Sequence, residues 1–161
     1  MTITQELLHS IFEYKDDGNL VYKVQRGSKG NIGKPAGKKK KTGYVSVGVN
    51  KKYYQLHRLI FLFHKGYIPK VIDHINGKND DNRIENLREA TVAQNAQNSK
   101  LHKTNTSGTR CLIWDKSKNR WRVRIVSNNK IISCGMFKDK ELAILAAENA
   151  RIKYHGEFVR N

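Results

Sequence analysis

The stretch VIDHINGKNDDNRIENLREATVAQN, residues 71–95, decides the fold of the middle of the chain. An apolar run ends at Asp73 and His74, a loop rich in asparagine, aspartate and glycine follows, and the short segment LREA comes next. Turn-forming residues between two short apolar segments favour two strands joined by a long loop. Thr91 is a suitable N-cap for a helix over VAQNAQNSKLH. The predicted order is therefore strand, long loop, strand and helix.

Asp73 and His74 are the residue types that metal-assisted hydrolysis requires. A carboxylate is a hard ligand suited to Mg²⁺ or Mn²⁺, and imidazole is a natural general base near neutral pH. Neighbouring strand residues point to opposite faces, so both can serve one site only if the strand ends there. Asn95 could add a neutral oxygen ligand. From spacing alone, an equally good interpretation is that Asp73 and His74 are ordinary polar groups of a turn.

The charge of the chain points to a polyanionic partner. The 161 residues include 31 Lys+Arg and 14 Asp+Glu, for a formal net charge of +17. Residues 1–56 hold 11 basic and 4 acidic side chains, residues 57–100 hold 7 and 5, and residues 101–161 hold 13 and 5. Two basic flanks thus enclose a nearly neutral middle, which favours nucleic-acid binding outside and chemistry inside. The alternative is a basic protein with a structural, ribosome-like role.

The sequence predicts a protein of the cytosol, that of the host cell if a phage encodes it. No apolar run reaches the roughly 18 residues of a membrane span, and the segment MTITQELLHS lacks a secretion-signal pattern. We therefore expect neither a membrane partner nor secretion. Cys111 and Cys134 are the only cysteines, too few for a disulfide framework or a four-cysteine zinc site.

The N-terminal part reads as small hairpins around two helices. We expect an amphipathic helix over TQELLHSIF, a hairpin turning at Asp17 and Gly18, a mobile loop over residues 26–43, a second hairpin in YVSVGVNKKYYQL, and a helix over HRLIFLFHKG that ends at Gly66. The loop contains the run Lys38, Lys39, Lys40 and Lys41, which is predicted to contact DNA phosphates. The alternative is a solvated charge run.

The C-terminal part reads as a small sheet on one helix. Trp121, Val123 and Ile125 alternate with arginines in NRWRVRIV, so one face of this strand is apolar and the other is basic. TRCLIW and KIISCGMF complete three antiparallel strands, and a helix runs from an Asp139 cap to Gly156. The predicted fold class is α+β, with one domain over residues 1–98, a linker over 99–107 and a second domain over 108–161.

The pattern DHINGKNDDNRIENLREAT, followed by an asparagine, resembles the HNH endonucleases, in particular the homing type of phages and introns. The resemblance covers residues 57–98 and begins with HRL at His57. It implies a strand-loop-strand-helix metal site. One divalent ion, Mg or Mn, is bound by Asp73 and by Asn95, where many members have histidine. The resemblance makes His74 the base that activates water and Asn86 a member of the catalytic set that braces the loop.

Two residues at the start of the motif have weaker assignments. His57 and Arg58 are predicted to contact DNA, with His57 orienting a site group or touching phosphate. The alternative for a histidine at the start of an apolar helix is a structural role.

Residues 106–158 resemble the ethylene-response-factor-type (APETALA-like) DNA-binding domain of plants, which is also found fused to phage HNH nucleases. The segments SGTRCLIWDKSKNRWRVRI, CGMF and ELAILAAENARIKYHG follow its order of strands and helix. In that family the sheet lies in the major groove. The resemblance therefore places Arg110, Arg122 and Arg124 at groove-facing positions.

The combined expectation is a metal-dependent endonuclease that hydrolyses phosphodiester bonds in double-stranded DNA. A monomer with one such centre cuts one strand, so we expect nicking at a preferred site, with double-strand cleavage requiring a dimer or a second encounter. A catalytically silent, sequence-specific DNA-binding regulator is the alternative. A structural RNA-binding protein is a third hypothesis.

Overall fold

The computed structural model describes residues 2–25 and 31–159, which form a mixed α/β structure of small antiparallel sheets and helices. The predicted α+β class is confirmed. The chain divides into two compact units, Met1–Asn95 and Ala96–Asn161. The functional boundaries predicted at residues 98 and 108 stay a prediction. Within the described ranges, no helix has both the length and the apolar character needed to cross a bilayer.

The first unit begins with a short helix and a hairpin. Helix α1 (Gln5–Ile11) starts at Thr4, whose hydroxyl accepts a hydrogen bond from the Leu7 amide, and it buries Leu8 and Ile11. Strands β1 (Phe12–Lys15) and β2 (Asn19–Tyr22) pair in antiparallel register. The predicted turn is confirmed, because Gly18 adopts a left-handed φ of 82° and its amide donates to the Lys15 carbonyl.

A second sheet contains β3 (Lys38–Lys39), β4 (Val45–Val49) and β5 (Lys52–Gln55). The predicted loop differs from the structure at Lys38 and Lys39, which form a strand, while its mobility stays a prediction and residues 26–30 lie outside the described residues. Gly37 explains the difference, since a side chain there would meet the Ser46 carbonyl oxygen at 2.7 Å. The missing side chain allows the lysine segment to pair with β4.

Helix α2 (Leu56–Lys65) is the centre of the core of this unit. It ends as predicted at Gly66, whose left-handed backbone lets its amide donate to the Leu62 carbonyl. Five of its apolar side chains have at most 4% of their surface exposed. They pack with residues of α1, β1, β2 and β4.

The deciding stretch folds as strand, loop, strand and helix. Strand β6 (Val71–His74) pairs with β7 (Leu87–Ala90), and the asparagine-rich loop, residues 75–86, joins them and closes with a 3-10 turn. Helix α3 (Val92–Asn98) begins as predicted after Thr91, whose hydroxyl accepts from the Gln94 amide. It ends four residues earlier than predicted, because the Ser99 amide and hydroxyl both close onto the Ala96 carbonyl.

The second unit is a three-stranded antiparallel sheet against one helix. The strands are β8 (Leu112–Asp115), β9 (Arg120–Ser127) and β10 (Lys130–Phe137), with β9 in the centre. Helix α4 (Lys140–His155) has the predicted Asp139 cap and packs Ala143 and Ala147 on Leu112 and Val123. The prediction that the first strand begins at residue 109 was wrong, because Cys111 has a positive φ of 64° that extended strands do not allow.

Candidate active site

His74 is the last residue of β6 and is held by the loop that follows. Its Nε2 lies 3.1 Å from Asn82 Oδ1, and both side chains are at most 5% exposed. The Asn82 amide nitrogen donates to the Asp80 carbonyl, which points the amide oxygen toward the imidazole. An amide oxygen only accepts, so Nε2 carries the proton and Nδ1 is the basic nitrogen of the ring.

The asparagine-rich loop is fixed by its own side chains. Asn86 donates to the Asp81 carbonyl at 2.7 Å and to the Asn76 side chain at 3.1 Å, and its Oδ1 accepts from the Asn76 amide at 3.0 Å. Arg83 makes a two-point contact with Asp81, both bonds 2.8 Å long. The hydrogen bonds from Arg83 hold the pKa of Asp81 well below its usual range. Asn86 therefore links Asn76 and Asp81 within the loop, and its catalytic role stays a prediction.

Asp73 faces a partner on the neighbouring strand. It lies opposite Arg88 in the β6–β7 register, and Arg88 Nε and Nη2 lie 2.9 and 2.8 Å from Asp73 Oδ2. The two side chains are 4% and 14% exposed. A buried ion pair of this kind fixes the carboxylate in one orientation, and removal of one partner leaves the other charge buried. Sequence reasoning missed Arg88, which the strand register alone could have indicated.

His57 lies in the interior beside His74. It is 6% exposed, and its ring meets the His74 ring edge-on with centroids 5.0 Å apart. The centroid of the Tyr44 ring lies 5.4 Å from that of His57 and 6.1 Å from that of His74. The pKa of His57 is lowered to about 3, mainly because the ring is buried and further because His74 and Arg58 are nearby. This imidazole is therefore neutral at neutral pH. Arg58 donates to the Pro69 carbonyl just before β6.

The hairpin β1–β2 supports the same loop from outside. A side chain at Gly18 would meet the Arg83 amide nitrogen at 2.5 Å and the Asn82 carbonyl carbon at 2.7 Å. The Tyr14 hydroxyl accepts a hydrogen bond from the Ile84 amide at 3.1 Å. The residue that orients His74 is therefore packed against a turn located far away in sequence. Asn82 and Gly18 carried no distinguishing sequence signal among many loop asparagines and turn glycines.

Asn95 lies exposed on α3, one turn after its start. Across residues 2–25 and 31–159, no three His, Cys, Asp or Glu side chains gather where they could hold a metal ion. The donors predicted here are one carboxylate and one amide, without sulfur. Such a sparse oxygen set fits Mg²⁺ or Mn²⁺, which keep several waters and accept phosphate oxygens as ligands. By their chemistry alone, these two predicted donors suit a hard divalent ion, while the structure pairs Asp73 with Arg88.

The predicted basic segment borders the loop. Lys38 and Lys39 lie on β3, Lys40 and Lys41 follow it, and all four are exposed. Lys39 forms a 2.7 Å ion pair with Asp80. One further contact, from the Asn79 side chain to the Thr42 carbonyl at 3.2 Å, joins the same two segments. The hydrogen bond from Lys39 lowers the pKa of Asp80.

The three predicted arginines of the second unit have different surroundings. Arg124 is exposed on β9, as expected for a side chain opposite the buried Val123 and Ile125. Arg122 forms a 2.9 Å ion pair with Asp115 on β8, and its buried Nε has no hydrogen-bond partner among the described residues. Arg110 lies in the turn before β8 and donates to the Ser99 carbonyl.

A histidine at the end of a strand, an adjacent carboxylate and a loop held by its own side chains form a strand-loop-strand-helix unit. A family model described as HNH endonuclease matches residues 54–97. The chain is 35% identical over 99 residues to protein 3.8 of Escherichia phage T7, across 59% of this chain and 79% of that protein. Residues 54–97 therefore belong to the HNH endonuclease family.

A solved structure described as DNA binding and cleavage by the HNH homing endonuclease I-HmuI is also similar. The match covers 90% of this chain and 85% of that chain, with 20% identity and a TM-score of 0.43.

Proposed function

We propose that the protein is a divalent-metal-dependent endonuclease that nicks one strand of duplex DNA at a preferred site. The observation that carries this proposal is the His74 imidazole, held at Nε2 by Asn82 and placed directly after Asp73. Membership of the HNH endonuclease family supports it. The net charge of +17 suits a polyanionic substrate.

His74 is assigned the general base. Asn82 keeps the proton on Nε2, so Nδ1 accepts a proton from the water that attacks phosphorus. A new bond forms between the water oxygen and phosphorus, and the bond from phosphorus to the 3′ oxygen breaks. The rings of His57 and Tyr44 pack beside the His74 imidazole and position it. Because His57 is neutral, it adds no positive charge that would disfavour protonation of His74.

Asp73 and Asn95 are assigned to hold the metal ion. When bound, a divalent ion stabilises negative charge on the phosphate and on the leaving 3′ oxygen. The Arg88 contact sets the orientation in which Asp73 is presented. Asn86 acts through the loop as a positioning residue, since it holds the backbone on which Asn82 is carried.

DNA contacts are assigned to both flanks. Lys38 to Lys41 contact phosphates in the first unit, together with Arg58, whereas His57 is buried beside His74 and is not assigned a DNA contact. In the second unit we assign an ethylene-response-factor-like role to the sheet, with Arg110, Arg122 and Arg124 directed to the major groove. One centre per chain favours a monomer that nicks, while a double-strand break requires a second copy or a second encounter.

A catalytically silent DNA-binding regulator is the second candidate. The observation that favours it is Arg88, which satisfies the Asp73 carboxylate with a protein cation in place of a metal ion. In that case the protein binds DNA without any dependence on Mg²⁺ or Mn²⁺.

Supercoiled plasmid and phage DNA, incubated with either ion, distinguish the two candidates. We expect nicked circles with Mg²⁺ or Mn²⁺, none in EDTA, and none with His74→Ala. Sequencing of the nick positions then defines the preferred site. If the wild-type protein binds the plasmid and neither ion yields nicked circles, the regulator is the correct assignment.

A further inference from the structure

The first unit has a surface groove of about 660 Å³ that combines positive charge with aromatic rings. This volume lies in the roughly 300–1,000 Å³ range of sites that hold organic ligands. None of the described residues that line it is acidic, and those that matter here are Tyr22, Lys38, Lys39, Lys40, Gly48 and Tyr53. A polyanion with flat apolar parts matches this lining.

Tyr53 provides an open aromatic platform in the groove. It is 82% exposed and lies opposite Gly48 in the β4–β5 register. A Cβ atom at Gly48 would lie 3.5 Å from Tyr53 Cε1, so the tyrosine ring extends over a position without a side chain. The ring is supported by backbone on one side and remains accessible to a ligand.

The lysines supply charge at the same place. Lys38 and Lys40 are exposed and line the groove. Lys39 also lines it and forms an ion pair with Asp80 of the asparagine-rich loop. Lysine ammonium groups near an exposed ring suit a nucleotide, whose phosphates bind cations while its base stacks on the ring.

We propose that this groove binds an unpaired nucleotide of the DNA substrate, with the base on Tyr53 and the flanking phosphates on Lys38 and Lys40. The inference rests on the proposed function, in which DNA is the substrate. Bases in a duplex are stacked on both faces and offer only their edges in the grooves. An aromatic platform therefore acts on a base that is flipped out or single-stranded.

The same segment leads from the groove to the catalytic centre. Lys39 contacts Asp80, the Thr42 carbonyl contacts Asn79, and Tyr44 packs near His74. The groove and the base His74 are thus joined by one short turn within one unit. A nucleotide in the groove belongs to the DNA next to the cleaved bond, where local unpairing would expose the strand to His74.

Fluorescence anisotropy with labelled DNA in EDTA tests this inference without cleavage. A single-stranded oligonucleotide and the paired duplex of the same sequence are titrated with the full-length protein. We expect Tyr53→Leu to lower affinity for the single strand roughly tenfold, because one base loses its stacking partner. Affinity for the duplex should change less than about twofold, because its paired bases do not stack on Tyr53. Tyr53→Phe keeps the platform and should bind like wild type.

Two matched controls separate stacking from folding and from charge. Tyr67→Leu removes a tyrosine that is 50% exposed and lies outside the groove lining, and it should leave single-strand affinity unchanged. The double variant Lys38→Ala, Lys40→Ala should flatten the salt dependence of single-strand binding more than Lys65→Ala, Lys70→Ala, which removes the same charge elsewhere.

Three results would overturn the inference: no loss of affinity with Tyr53→Leu, an equal loss for single strand and duplex, or tighter binding of RNA than DNA in the single-stranded form. Plasmid nicking is measured separately. If the protein nicks plasmid but Tyr53 has no role in single-strand binding, the groove proposal is wrong and the nuclease assignment stands. If single-strand binding depends on Tyr53 but no nicking occurs, the groove proposal stands and the nuclease assignment is wrong.

Discussion

The asparagine-rich loop carries polar side chains that we assign to positioning His74, the exposed face of the β8–β10 sheet carries polar side chains that we assign to DNA, and the two regions hold these side chains differently. In the loop, Asn82 and Asn86 are at most 6% exposed and bonded to the protein itself. On the sheet, Arg124 is exposed and Arg122 has one ion pair at the surface.

This difference matches the two tasks. A proton-transfer group must be held in a fixed geometry, so the protein uses neutral amides that satisfy each other in the interior. Base contacts are made by long cations that keep their freedom until DNA arrives. Changes in the loop should therefore abolish chemistry, while changes on the sheet should alter where the protein binds.

The largest effect is expected at His74. His74→Ala should reduce the rate of plasmid nicking by roughly 10²–10⁴-fold, because the attacking water loses its general base. DNA affinity in EDTA should stay near the wild-type value. His102→Ala, an exposed histidine of the second unit, is the control and should nick normally. A His74→Ala protein that still nicks at the wild-type rate would show that the base is another group.

Substitutions of Asn82 should lower the nicking rate less, and the difference between two variants tests its positioning role. Asn82→Leu should slow nicking roughly 10–100-fold, the usual cost of removing a group that orients a reacting imidazole. Asn82→Asp keeps an acceptor for Nε2 and should recover most of the rate. The control is Asn79→Ala, whose side chain contacts the Thr42 carbonyl rather than His74. Equal rates for the Leu and Asp variants would contradict the positioning role, and thermal melting checks that both are folded.

How much the sequence could predict depends on whether a feature is local. The helix stop at Gly66 and the caps at Thr91 and Asp139 follow from neighbouring residues, and they were confirmed. The Asp73–Arg88 pair depends on strand register, and the packing of Gly18 on Asn82 depends on the three-dimensional fold. Of the asparagines in the loop, none signals by itself that it holds His74.

The buried His57 makes a measurable contribution to the pH dependence of stability. Its pKa is about 3 in the folded unit, against about 6.5 for an unfolded histidine, so the unfolded chain binds more protons between these values. The stability from neutral His57 is complete above pH 6.5 and is lost as pH falls toward 3. Between pH 6.5 and 4.5 the free energy of unfolding should drop by about 2–3 kcal/mol.

Denaturant unfolding of the full chain, followed by a probe in the first unit, checks this. His57→Phe keeps an apolar ring beside Tyr44 and should flatten the slope in that window, whereas His9→Gln, at an exposed histidine, should retain it. The low pKa of Asp81, caused by Arg83, contributes only at more acidic pH because an unfolded aspartate titrates near 3.9. An identical slope in His57→Phe would mean that His57 is protonated in the folded protein.

The smallest effects are expected on the sheet, and they should differ between its two arginines. If Arg124 reads a guanine, Arg124→Ala should cost about 1–3 kcal/mol at that base pair and relax the preference there. Arg122 must first leave Asp115, so Arg122→Ala should cost less than Arg124→Ala. Asp115→Asn weakens that ion pair and should raise the contribution of Arg122.

A panel of duplexes with single-base substitutions, measured at two salt concentrations, separates base contacts from phosphate contacts. Loss of preference at one base with an unchanged salt slope identifies direct base contact. A uniform loss over all duplexes, with a flatter salt slope, would mean that the sheet is an electrostatic clamp. Specificity would then have to come from the first unit. That outcome would sharpen the contrast between the two regions, because the sheet would then contribute only through phosphates.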